Sequence, residues 1–84
     1  MEEPDPIKRE LKAVIQSTSD VFNAWELDEV FTLVESDRHA PAYIRLCRVL
    51  VEEEEALPVA FYERIRALGI KLGVDSSVWD QLRR

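Results

Sequence analysis

The sequence has few of the residues from which reactive sites are built. Its 84 residues include one cysteine, Cys47, one histidine, His39, and two glycines, Gly69 and Gly73. A lone cysteine forms no internal disulfide, so nothing points to an oxidising compartment. Set in an apolar helical pattern, Cys47 reads as a buried structural thiol rather than a nucleophile. One Cys and one His, far apart in the pattern, give no zinc spacing. His39, between Arg38 and Ala40 at a helix start, reads as an exposed turn residue. A glycine-rich phosphate loop is absent, and so is a twelve-residue calcium loop with alternating acids and a central Gly. Ser17, Ser19, Ser36, Ser76 and Ser77 fall at capping or turn positions, which leaves no Ser–His–Asp arrangement. Neither catalysis nor a metal or cofactor is expected.

Long apolar runs are also missing. No stretch approaches the roughly 18 residues of a membrane-spanning helix. The first residues, Met-Glu-Glu-Pro-Asp-Pro, carry no basic segment followed by an apolar one and do not read as a secretion signal. A soluble, cytoplasmic protein is the expectation. A chain this short forms one domain and buries roughly 60–65% of the surface its unfolded form exposes.

What the chain does have is negative charge and helical periodicity. Seventeen acids against eleven bases give a net charge of −6. Such a surface repels phosphate backbones and attracts basic proteins, so the expected partner is a basic protein and not a nucleic acid or a membrane.

The apolar spacing predicts an all-α fold, a compact bundle of four or five short helices around a central hairpin. Residues 1–4 are expected to fray. Asp5 can cap a first helix opening at Pro6, with Ile7, Leu11, Val14 and Ile15 on one stripe and Lys8, Arg9 and Lys12 elsewhere. Residues 17–20 end it, and Val21 and Phe22 plug the following loop into the core. Asn23 and Glu26 have capping-box spacing for a second helix striped by Leu27, Val30, Phe31 and Val34. A turn from Ser36 to Ala40 leads to a third helix from Pro41 to Val51. Its stripe of Tyr43, Leu46, Cys47 and Leu50 is widened by Ile44 and Val51, the pattern of a central helix. Arg45 and Arg48 mark its wet side. Glu52–Glu55 prolong it or turn the chain, since adjacent like charges destabilise a helix end. Pro58 opens a fourth helix carrying Phe61, Tyr62, Ile65, Leu68 and Leu72 inward, and Gly73 closes it in a left-handed conformation. Gly69 lets a neighbouring backbone approach. A last short helix, capped by Asp75 or Ser76, turns Val78, Trp79 and Leu82 inward, with Arg83 and Arg84 at its end.

The candidate binding residues follow from the charge pattern. Between Asp20 and Asp37 lie six acids and no base. Glu35, near the end of the second helix, works against the helix dipole, as though the charge served something other than stability. An aromatic among acids is how a binding centre for a basic partner looks. The candidate partner-binding set is therefore Trp25, Glu26, Asp28, Glu29, Glu35 and Asp37, with Glu52, Glu53 and Glu55 of the glutamate run. Trp25 reads equally well as a hydrophobic staple, and the glutamate run as a solvated face that keeps a small protein soluble.

From Leu27 onward the chain resembles the MafI-type immunity proteins, partners of bacterial polymorphic toxins. The resembling residues are Val34-Glu35-Ser36-Asp37, then Tyr43-Ile44-Arg45-Leu46-Cys47 running on to Leu50-Val51-Glu52-Glu53. Phe61-Tyr62-Glu63-Arg64-Ile65, Leu68-Gly69-Ile70-Lys71-Leu72-Gly73-Val74-Asp75 and Val78-Trp79-Asp80-Gln81-Leu82 complete the pattern. Ala40-Pro41-Ala42 stands where the family usually shows a Gly or small residue. The resemblance implies a non-enzymatic, cytoplasmic inhibitor that binds a cognate toxin domain, a nuclease with a basic groove being the physically apt target. The competing expectations are a helical adaptor or oligomerisation module, with the chain a monomer or a weak homodimer, and a DNA mimic acting on a DNA-binding protein.

Overall fold

Five α-helices and one 3-10 turn account for nearly all of residues 6–53 and 57–82, the residues that the computed structural model describes. They are α1 (Pro6–Ser17), the turn (Ser19–Val21), α2 (Ala24–Glu35), α3 (His39–Glu53), α4 (Val59–Leu72) and α5 (Ser77–Asp80). Among the described residues there is no strand. The bundle architecture expected from periodicity is the one observed, with a radius of gyration of 12.2 Å. The expectations for residues 1–5, Glu54, Glu55, Arg83 and Arg84 lie outside the described residues.

Local chemistry sets the helix ends. Thr18 closes α1 by donating its hydroxyl back to the Val14 and Ile15 carbonyls. Asn23 and Glu26 form the expected capping box: Asn23 Oδ1 accepts from the Glu26 N–H at 2.7 Å, and Glu26 Oε1 accepts from the Asn23 N–H at 3.2 Å. The staple positions on either side are Phe22 and Leu27, both in the core cluster, so Trp25 has no staple role. Two residues past the end of α2 stands Asp37, the one described non-glycine residue with positive φ (61°). The Asp37 and Arg38 amides then donate to the Val34 and Leu33 carbonyls in a Schellman arrangement. Gly73 (φ 71°) ends α4 the same way, with Val74 N–H reaching Gly69 O. Ser76 stands at the N-cap of α5 without a side-chain cap bond, and Asp75 supplies that bond instead. Its Oδ1 accepts from the Ser77 N–H at 2.9 Å, which holds the Asp75 carboxyl below its ordinary pKa.

α3 begins at His39, two residues before Pro41. Helix-opening amides have no intrahelical acceptor, so Pro41 sits within the first turn without losing a bond. His39 is accordingly a half-buried helical residue and not an exposed turn residue. α3 packs against every other element, and Ala42, Tyr43, Leu46, Cys47, Val49 and Leu50 are buried. Its apolar arc is widened by Ala42 and Val49. Ile44, expected to widen it, is 41% exposed.

Tyr43 fixes the relation of α3 to α4. Its hydroxyl donates to the Ile65 carbonyl at 2.7 Å, and the same oxygen, like the Trp79 ring, lies against Gly69. The start of α3 thus meets the second half of α4, which makes the pair the expected antiparallel hairpin. Gly69 makes room for two side chains, the Tyr43 phenol and the Trp79 indole, where a backbone had been expected.

Candidate functional site

Helical spacing places Trp25, Asp28, Thr32 and Glu35 on one face of α2, at i, i+3, i+7 and i+10. All four are exposed, while Val30 and Val34 on the opposite face are fully buried. Trp25 is 70% exposed, an unusual state for the largest apolar residue. Asp28 lies one turn further on, and its carboxylate makes no hydrogen bond or ion pair among the described residues. Thr32 turns its hydroxyl to the Asp28 carbonyl at 2.8 Å, within the helix.

The remaining acids of this helix are largely engaged inside the molecule. Arg45 Nη2 of α3 meets Glu29 Oε1 at 2.6 Å, and Glu29 Oε2 is buried with no hydrogen-bond partner. Arg45 is therefore a bridge between α3 and α2 more than a wet-side residue. Glu35 is held by Lys12 and by Lys8 at 3.6 Å, and Lys8 also reaches Asp37 at 4.0 Å. The Lys12 hydrogen bond, with the charges of both lysines, holds the Glu35 carboxyl below its ordinary pKa. This gives Glu35 a structural role that its unfavourable place in the helix dipole had seemed to deny it. Glu26 closes the capping box with one oxygen.

Of the sequence-derived set, then, the structure sets Trp25 and Asp28 on one exposed face at the start of α2, with half-buried Glu26 beside them in the capping box. It directs Glu29, Glu35 and Asp37 toward the chain's own cations. Glu52 is exposed on α3. Glu53 closes α3, and Glu55 lies outside the described residues.

Comparison of the chain with protein-family models, curated proteins and solved structures finds no match. What the site can do rests on its own chemistry. Among the described residues no three His, Cys, Asp or Glu side chains are grouped to hold a metal, and no helix is long and apolar enough to cross a membrane. The buried Cys47 thiol is pushed up to about 12 by burial, a state opposite to that of an activated nucleophile. Burial also raises the Tyr43 phenol well above its ordinary value.

A second feature escaped the sequence. Ile44, Arg48, Val51 and Glu52 of α3 line an open groove of about 310 Å³ with Val78 of α5 and Gln81 just after it. The signal was present in the spacing of Ile44, Arg48 and Glu52 at i, i+4 and i+8. It became visible only when α3 turned Val49 inward and left Ile44 outside.

Proposed function

We propose that the chain acts by contact, binding a basic protein surface through the start of α2, in the manner of a cytoplasmic immunity protein that neutralises a cognate toxin domain. The observation that carries this reading is Trp25, standing 70% exposed with Asp28 one turn away. An indole with an apolar face and an unpaired carboxylate beside it suits a lysine or arginine of a partner. The ring takes the cation on its face, and the carboxylate completes the pair. Where such an aromatic is a hot spot, its truncation to Ala costs about 2 kcal/mol or more. The net charge of −6 adds long-range attraction to a basic surface and raises encounter rates. A toxin nuclease, whose substrate groove must be basic, fits these requirements. The resemblance to MafI-type immunity proteins supports the same reading.

The internal pairing of Glu29, Glu35 and Asp37 narrows the proposed contact to Trp25, Asp28 and Glu26. Co-expression with the product of the adjacent gene tests it. Trp25→Ala combined with Asp28→Lys is expected to weaken binding by at least about tenfold and to abolish protection, with helix content and urea midpoint unchanged. Cells that survive equally well with the doubly substituted chain would remove this face from the inhibitory surface.

A further inference from the structure

We infer that the groove between α3 and α5 is the self-association surface of this chain, seating α3 of a second copy antiparallel to its own. The floor and wall are apolar, from Ile44 and Val51 of α3 and Val78 of α5. The two charged residues in the groove, Arg48 and Glu52, lie on one face of α3 at i and i+4, both exposed. Neither makes an ion pair or hydrogen bond among the described residues. Arg preceding Glu by four is also the weaker order for pairing along a helix.

That arrangement is self-complementary. A two-fold axis passing between the two positions sets Arg48 against Glu52 of the second copy, and Glu52 against its Arg48. Closed, isologous pairing of this kind is the commonest symmetry of soluble oligomers. Both charges are then satisfied at once. The groove's volume is at the bottom of the range for small-molecule pockets, roughly 300–1,000 Å³, and it is open to solvent. A ridge of side chains from another helix suits such a shape better than a small ligand does. The surface uses no residue of the α2 face, so it stands whether or not the proposed toxin contact holds.

Sedimentation velocity of the full chain over a wide concentration range tests the inference. The wild-type chain is expected to gain mass reversibly toward a dimer. Arg48→Glu leaves only acids in the interface and Glu52→Arg only bases. Each is expected to weaken dimerisation by about tenfold or more, with circular dichroism unchanged, since both positions are at the surface. The double swap Arg48→Glu/Glu52→Arg restores the pattern and is expected to restore the dimer. An equimolar mixture of the two single variants is expected to form heterodimers that neither forms alone. A chain that stays monomeric at all concentrations overturns the proposal. So does a dimer indifferent to both single substitutions, or a groove that takes up only an amphipathic helix of another protein.

Discussion

Gly69 illustrates how a single position can reverse a general rule. In the exposed middle of a helix, replacing Gly by Ala is stabilising by about 1 kcal/mol, because alanine loses less conformational entropy. Gly69 is buried, and a Cβ added there would lie 2.5 Å from Trp79 Cε3 and 2.6 Å from the Tyr43 hydroxyl oxygen. Both neighbours are rings anchored elsewhere: Tyr43 by its bond to the Ile65 carbonyl, Trp79 by its place in the core. Neither can yield without opening a contact. Gly69→Ala is therefore expected to destabilise the chain by about 1–3 kcal/mol, the usual cost of overpacking. Urea unfolding checks the sign, and a red shift in emission from a displaced Trp79 would locate the damage. A variant as stable as wild type would mean that the junction of α3, α4 and α5 is looser than its distances say.

At the scale of the element, the second helix shows what a linear sequence reveals. Its start was legible because a capping box is written within four residues, Asn23 to Glu26, and the left-handed end of α4 was legible in Gly73 for the same local reason. The binding face was only half legible. Whether Glu35 is available to a partner depends on how α1 packs across α2, which brings Lys12 within reach from 23 positions away. Whether Ile44 or Val49 faces inward depends on a small rotation of α3 that its broad apolar pattern does not fix. The Lys8–Lys12–Glu35 cluster also makes the α1–α2 contact sensitive to acid. The Glu35 pKa is lowered in the folded state, so its contribution is complete above the unfolded value of about 4.3 and is lost as pH falls below it, through the folded pKa. The urea midpoint of wild type is expected to fall more steeply than that of Glu35→Gln across that acid range, and the two to converge at its lower end. Parallel curves would show that the lysines leave the carboxylate's stability unchanged. Because Glu35 is exposed and both lysines keep part of their side chains in water, added salt should shrink the difference.

The whole molecule is organised so that its only thiol can report on its cooperativity. Cys47 is 1% exposed, at the middle of α3, which packs against every other element. Burial pushes its pKa up to about 12. At pH 8 such a thiol is essentially all protonated, whereas about a quarter of an unfolded cysteine with a pKa near 8.5 is ionised. Both access and ionisation therefore require opening, and a disulfide reagent added to the native chain measures how often that occurs. Cys47 belongs to the core cluster to which all five helices contribute, so its exposure is expected to need the bundle to open. The labelling rate is expected to rise with urea along the same slope as global unfolding, since that slope scales with the surface exposed. A distinctly shallower slope would instead mean that α4 and α5 detach as a unit, with α1 to α3 still packed. In that case the Tyr43–Ile65 bond and the Trp79–Gly69 contact would mark a hinge, and Tyr43→Phe should then speed labelling without changing the slope.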